Sequence, residues 1–161
     1  MRTFHSPLLL FPATYLVHIL EEYFAGEGFY IWIRRVANVY LTPRQFLYAN
    51  SALWIAMTAA ASVASSPSWF SVALGFLVLV NGLGHLAGTI VTRAYSPGVV
   101  SGVTLWVPLG TYFALQGRAA LPVGEFWIGI GTGLAIQAAV LTWAVALSRR
   151  NRAVQGSKIV T

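Results

Sequence analysis

The stretch PATYLVHILEEYF, residues 12–24, places His18, Glu21 and Glu22 inside a run that is otherwise almost entirely apolar. At 3.6 residues per turn, side chains spaced i, i+3 and i+4 lie on one face of a helix. The whole chain has only 4 acidic residues, so half of them lie side by side in this one segment. Such a concentration of titratable groups in an apolar helix indicates a buried polar site.

The composition around this stretch is typical of an integral membrane protein. Of 161 residues, 57% are hydrophobic and 9% are charged, whereas a soluble domain has about 25% charged residues. The net charge is +6, but the basic residues lie between and beyond apolar runs and form no aromatic-rich patch. This distribution argues against nucleic-acid binding. The absence of cysteine excludes disulfides, thiolate metal sites and a cysteine nucleophile.

Apolar runs of about 20 residues, the length that crosses a bilayer, predict an all-α, polytopic bundle of five membrane-spanning helices. Their approximate bounds are residues 7–24, 44–65, 69–92, 99–115 and 125–147. The aromatic and basic segment 26–43 predicts a short interfacial helix or loop. We predict a single transmembrane domain over residues 1–148 and a basic, disordered cytoplasmic tail over residues 149–161.

The basic residues predict the orientation of this bundle in a plasma or inner membrane. The positive-inside rule favours an N-terminus outside and a C-terminus in the cytoplasm. The cytoplasmic side then collects Arg34, Arg35, Arg44, Arg93, Arg149, Arg150, Arg152 and Lys158, and only Arg2 and Arg118 remain outside. The same topology brings the ends of the first and third helices, and the loop after the third, to one level near the inner leaflet.

Three short motifs carry the polar residues of that level: HILEE at residues 18–22, NGLGH at residues 81–85 and YSPG at residues 95–98. In this order they resemble the HxxEE, NxxxH and YxPG motifs of the HXXEE domain family, a group of small bacterial membrane proteins. The resemblance covers residues 18–98 and, by size and hydropathy, the whole chain. It implies a helical membrane protein with these motifs at its functional site, but it supplies no reaction.

The residue types in the motifs predict a metal centre. His18 and Glu22, spaced i, i+4, can face one cation, and His85 can complete a set of two histidines and one carboxylate. Such a set suits zinc with an open position or non-haem iron. Which of the two adjacent glutamates is the ligand stays open. Three further residues are predicted to be catalytic: Glu21 as general base, Asn81 as an orienting or oxyanion group, and Tyr95 as a donor from the loop.

The predicted function is a metal-dependent hydrolase or oxidoreductase embedded in the membrane, with a lipid-like or apolar substrate near the inner leaflet. Two other functions fit the same residues: a metal-free acid–base enzyme on an isoprenoid-type substrate, or a small proton-coupled transporter or binding protein. A purely structural interpretation pairs His18 with Glu22 within the helix and uses Gly82, Gly84 and Gly88 for helix packing. The expected partners are membrane lipid and the substrate, with no nucleic acid.

Overall fold

A computed structural model describes residues 7–64 and 66–157, and its regular structure over these residues is all helix, with no strand. A 3₁₀ turn, Pro7–Leu9, leads into the first helix. The helices are α1 (Leu10–Phe24), α2 (Phe29–Ala37), α3 (Pro43–Val63), α4 (Trp69–Thr92), α5 (Val99–Ala120) and α6 (Val123–Ser157). The predicted all-α fold class is confirmed.

Four of these helices, α3 to α6, are each long and apolar enough to cross a membrane. The segment Pro7–Phe24 passes the same test only together with α2, from which it is bent by 66°. Gly26 and Gly28 make this bend with φ of 60° and 78°, values that residues with a Cβ rarely adopt. The five predicted spans therefore correspond to four single helices and one bent pair, and α2 is the short helix predicted after the first span.

Capping residues explain where α3 and α4 begin. Thr42 and Gln45 form a reciprocal capping box at the start of α3, and Ser68 and Ser71 form another at the start of α4. In each box the side chains bind backbone N–H groups that the first turn of a helix leaves without partners. At its other end α4 stops at Arg93, which has a left-handed backbone conformation, and the loop that follows turns back toward α1.

Helix α4 lies at the centre of the bundle and contacts its neighbours through small residues. A Cβ added at Gly110 of α5 would lie 2.5 Å from the carbonyl oxygen of Gly75, and one added at Gly133 of α6 would lie 2.5 Å from that of Ala73. The helices α5 and α6 thus approach the backbone of α4 closely, as small residues allow between membrane helices.

The glycines predicted to pack helices differ in their surroundings. A Cβ at Gly82 would lie 2.6 Å from the carbonyl oxygen of Gly102, and one at Gly88 would lie 2.7 Å from the Trp32 ring. The packing prediction is confirmed for these two positions. It is wrong for Gly84, where a Cβ would meet nothing within 4 Å, because this face of α4 borders a cavity.

One turn of α5 is not α-helical. Residues Gly102–Trp106 form a π-helical turn, and the N–H of Val107 donates to the carbonyl of Gly102, five residues earlier. In an α-helix, residues five apart point about 140° away from each other, whereas a turn closed by i to i+5 hydrogen bonds brings them close to one side. Ser101 and Trp106 consequently both face α1.

Helix α6 continues through the basic residues to Ser157, so the predicted disordered tail is helical as far as the structure describes it. Residues 149–155 contain neither proline nor glycine, the two residues that most strongly interrupt a helix. The Asn151 amide donates to the carbonyl of Tyr40 at 2.8 Å and to Gln45 Oε1 at 2.9 Å, which ties this end of α6 to the start of α3. The predicted boundary at residue 148 is therefore not marked by any break in the helix, and residues 158–161 lie outside the described chain.

Candidate metal centre

His18, Glu22 and His85 form a buried group between α1 and α4. Their exposed fractions are 1%, 5% and 5%. Glu22 Oε1 lies 3.7 Å from His18 Nε2 and 3.3 Å from His85 Nε2. One ligand atom from each residue lies within 4.8 Å of the other two. The three residues are therefore close enough to hold a metal ion.

Two serines hold the opposite sides of the imidazole rings. His18 Nδ1 lies 2.8 Å from Ser101 Oγ, and His85 Nδ1 lies 3.1 Å from Ser96 Oγ. Each ring is thereby fixed through Nδ1 and presents Nε2 to Glu22. Histidines that bind metals usually engage their second ring nitrogen in such a bond, which sets the tautomer and the ring orientation.

The protons at His18 can be placed from its neighbours. Ser101 Oγ also lies 3.5 Å from the carbonyl oxygen of Gly98, to which the serine hydroxyl can only donate. In that arrangement His18 Nδ1–H donates to Ser101 Oγ, and Nε2 keeps its lone pair. His18 Nε2 is buried and has no hydrogen-bond partner among the described residues. Two acceptors, this nitrogen and Glu22 Oε1, then face each other, an arrangement that requires a cation or a proton between them.

A cavity of about 620 Å³ reaches this group. His18, Glu22, His85 and Asn81 lie in its wall. The rest of the wall consists mainly of apolar side chains from α2, α3, α4 and α6, among them Leu53, Met57, Leu77, Val140 and Leu141. The volume is within the range of small-molecule sites, about 300–1,000 Å³.

Two tryptophans and one asparagine add polar atoms to this cavity wall. Trp106 stacks on the His18 ring with centroids 3.6 Å apart. Trp32 Nε1, Trp106 Nε1 and Asn81 Oδ1 are buried and have no hydrogen-bond partner among the described residues. All three residues line the cavity, so these three buried polar atoms without partners lie in residues next to it.

Glu21 faces away from the cavity and binds the start of α5. Its two carboxylate oxygens accept hydrogen bonds from the Tyr95 hydroxyl at 2.6 Å and from the backbone N–H groups of Gly98, Val100 and Ser101 at 3.2, 2.9 and 2.6 Å. A carboxylate at this place satisfies N–H groups that the first turn of a helix leaves free, and it complements the helix dipole. Glu21 therefore fastens the YSPG loop and α5 to α1.

Tyr95 serves the same attachment. Burial raises the pKa of its phenol, and the hydrogen bond to the Glu21 carboxylate raises that pKa further, so the hydroxyl remains a donor. Neither Tyr95 nor Glu21 is among the residues that line the cavity, whereas Asn81 is. The catalytic roles of all three stay predictions, and the geometry around the first two favours positioning.

Gly98 is the point where the YSPG loop contacts both imidazoles. A Cβ added to it would lie 2.7 Å from His85 Cε1 and 2.9 Å from His18 Cε1. Its φ of 100° is also one that only glycine adopts readily. The last position of the motif therefore requires glycine for two reasons: its backbone conformation, and the small space that the two rings leave.

Ser96, Ser101, Trp32 and Trp106 are site residues that the sequence analysis missed. Ser96 occupies the variable position of YxPG, and Ser101 lies three residues beyond that motif. Serine near the start of a helix is ordinarily a capping residue, so neither serine carries a distinctive signal. Their nearness to a motif glycine was the only available indication.

A helical bundle with spans long enough for a membrane, and with a buried group of two histidines and one glutamate, defines a class of helical membrane proteins with a candidate metal centre. Within that class, the family model described as "Protein of unknown function with HXXEE motif" matches residues 9–113, and the chain belongs to this family. The match confirms the resemblance seen in the three motifs. Comparisons with curated proteins and with solved structures found no match.

Proposed function

We propose that this protein is a metal-dependent enzyme of the membrane that acts on an apolar, lipid-like molecule. The observation that carries the proposal is the convergence of His18 Nε2, His85 Nε2 and Glu22 Oε1 at the wall of a large, mostly apolar cavity. Neither an ordinary packing histidine nor an exposed acidic cluster accounts for three buried ligand atoms that face one another.

The ligand set limits the metal and its chemistry. Two neutral imidazoles and one carboxylate suit zinc with an open position, or iron in a facial triad. A metal bound there would act as a Lewis acid on a carbonyl or phosphoryl oxygen. We assign Glu22 as the ligand because it lies between the histidines. Glu21 is then a positioning residue, since both of its oxygens are occupied by the start of α5.

The cavity indicates how a substrate would lie. An apolar chain fits between the side chains of α3, α4 and α6, and a polar group at its end would reach Asn81 and the indole N–H of Trp32 or Trp106. With the arginine-rich end of the bundle in the cytoplasm, the buried histidine and glutamate group on α1 and α4 lies near the inner leaflet. Lipids carry their own polar groups at that depth.

Elemental analysis of the protein purified in detergent tests the metal. We expect about one equivalent of zinc or iron per chain in the wild type and less than about a tenth in His18→Ala, Glu22→Gln and His85→Ala, because a three-ligand site does not survive the loss of one ligand. The chain contains 3 histidines, so His5→Ala is a matched control. It removes an imidazole that the proposal does not use and should keep the metal.

Two measurements complete the test. Thermal unfolding shows whether a variant lost its metal because it lost its fold, since Glu22→Gln changes charge but little volume. Titration with Co²⁺ gives visible absorption bands whose intensity reports a low-coordinate site. Wild-type protein that holds no metal as purified and takes up none of these ions would refute the proposal.

A further inference from the structure

Two arginines from distant parts of the sequence lie close to one tyrosine ring at the end of the bundle. The guanidinium carbon of Arg34 lies 4.5 Å from the centroid of the Tyr40 ring, and that of Arg152 lies 5.6 Å from it. Arg34 belongs to the last turn of α2, and Arg152 lies near the C-terminal end of α6. The face of the partly buried Tyr40 ring attracts each cation, while the two positive charges repel each other.

No side-chain carboxylate of the chain neutralises this pair. The sequence contains 4 acidic residues, all within the described part of the chain, and none forms an ion pair with Arg34 or Arg152. Each is placed elsewhere: Glu21 on the start of α5, Glu22 between the histidines, Glu27 on Arg35, and Glu125 in the first turn of α6. Glu125 and Arg152 are 27 positions apart along one helix, which is about 40 Å.

A small pocket of about 260 Å³ lies beside this ring. Arg34, Tyr40 and Asn151 give it a charged and polar side, and Tyr30 and Leu41 are among the residues that give it an apolar side. The volume is below the range of about 300–1,000 Å³ that holds a whole drug-sized ligand. The pocket therefore suits a compact anionic group with an apolar neighbour.

We propose that Arg34, Tyr40 and Arg152 form a binding site for the phosphate of an anionic membrane lipid. Guanidinium groups bind phosphate oxygens through two parallel hydrogen bonds. A phosphate in the pocket beside Arg34, with Arg152 on the same ring, would offset the repulsion between the two arginines. The site lies where α2 and α6 end and α3 begins, which is the arginine-rich end of the bundle. Basic pockets between membrane helices at this level bind lipid headgroups, and the apolar side of the pocket favours a lipid over free phosphate.

Lipid titration of the protein in detergent tests this site. The probes are phosphatidylglycerol, phosphatidylcholine and inorganic phosphate, and the readouts are the melting temperature and the retained lipid in native mass spectrometry. We expect phosphatidylglycerol to bind and to raise the melting temperature, and the other two to do neither. Equal stabilisation by inorganic phosphate would overturn the lipid as the source of the anion. These readouts do not depend on metal content, so failure here and failure of the proposed function are distinguishable.

Two paired substitutions separate a specific site from general attraction. Arg34→Gln with Arg152→Gln should weaken phosphatidylglycerol binding at least about tenfold, since it removes both guanidinium groups that donate charge-assisted hydrogen bonds to the phosphate. Arg149→Gln with Arg150→Gln removes the same net charge from the same end of the bundle and should leave affinity within about threefold, as expected for exposed charges. Equal weakening in both pairs would overturn the proposal.

A charge-conserving pair covers the case in which the glutamine pair does not fold. Arg34→Lys with Arg152→Lys keeps both charges but loses the planar fork that binds two phosphate oxygens. We expect this pair to bind phosphatidylglycerol several-fold more weakly than the wild type. Unchanged affinity in a folded lysine pair would also overturn the site.

Discussion

Replacement of Gly98 by alanine tests whether the YSPG loop holds the two imidazoles in place. The new Cβ would lie 2.7 Å from His85 Cε1, 2.9 Å from His18 Cε1 and 3.0 Å from His85 Nδ1. The rings have little room to retreat, because His18 is stacked on Trp106 at 3.6 Å and His85 lies 5.2 Å from the Phe29 ring. The loop itself must therefore move away from α1 and α4.

The cost of this substitution has two parts. A residue with a Cβ in a left-handed backbone conformation costs about 1–2 kcal/mol, and overpacking a filled site costs about 1–3 kcal/mol. We expect Gly98→Ala to lower the free energy of unfolding by about 2–5 kcal/mol. A displaced loop also separates Ser96 and Ser101 from the histidines, so metal affinity should fall about 10–100-fold for each contact that is lost.

Melting in detergent and metal competition with a chelator measure these two effects. Gly84→Ala is the matched control, since it lies in the neighbouring motif, one residue from His85, and its Cβ would meet nothing within 4 Å. Alanine there should be neutral or stabilise the helix by about 0.5–1 kcal/mol. A Gly98→Ala protein that melts and binds metal like the wild type would show that the YSPG loop does not press on the two imidazole rings and does not hold them in place.

Three further substitutions test the contacts around the site. Glu21→Gln should lower the melting temperature, because the amide nitrogen cannot accept the hydrogen bonds that the carboxylate accepts from backbone N–H groups. Each donor left unpaired costs about 1–3 kcal/mol. A variant of wild-type stability that binds metal but has no activity would instead favour Glu21 as general base. Ser101→Ala should weaken metal binding about 10–100-fold in the chelator assay. Ser62→Ala is the control and should leave metal binding unchanged, since the Ser62 hydroxyl only donates to the exposed carbonyl of Thr58. The raised pKa of the Tyr95 phenol means that its stabilising hydrogen bond to Glu21 is complete below pH 10 and is lost only as the pH rises through the pKa of the folded state. The stability difference between the wild type and Tyr95→Phe should therefore be constant from pH 7 to 9. A difference that shrinks in this range would contradict this prediction.

Periodicity and charge in the sequence were enough to predict the helical architecture and the composition of the buried group of two histidines and one glutamate. The i, i+4 spacing of His18 and Glu22 places them on one helix face, and the alternation of spans brings His85 to the same depth. Both inferences depend only on helix geometry and on bilayer thickness. They hold whatever the details of side-chain packing.

The division of labour between the two adjacent glutamates could not be predicted in this way. Neighbouring residues on a helix differ by about 100° in direction, so Glu21 and Glu22 both remain near the histidine face. Which of them points inward depends on how α1 is rotated against α4 and α5. Side-chain packing between helices sets that rotation, and a single sequence does not display it.

Long-range contacts also explain the remaining differences. The end of α6 is helical where a disordered tail was predicted, because Asn151 reaches Tyr40 and Gln45 more than 100 positions earlier. Residues 7–24 were predicted to be a span of their own, whereas they pass the length and hydropathy test only together with α2, which Gly26 and Gly28 set at 66° to them. Composition marks such segments as basic or aromatic, but it does not reveal the contacts that order them.

The π-helical turn in α5 lets Ser101 and Trp106 reach His18 together although they are five positions apart. A homologue one residue shorter in this turn could wind as a regular α-helix and keep both side chains on the same face, since residues i and i+4 point only about 40° apart. A homologue of the same length without the π-helical turn would point the two side chains about 140° apart. Such a homologue must support the first histidine by other means.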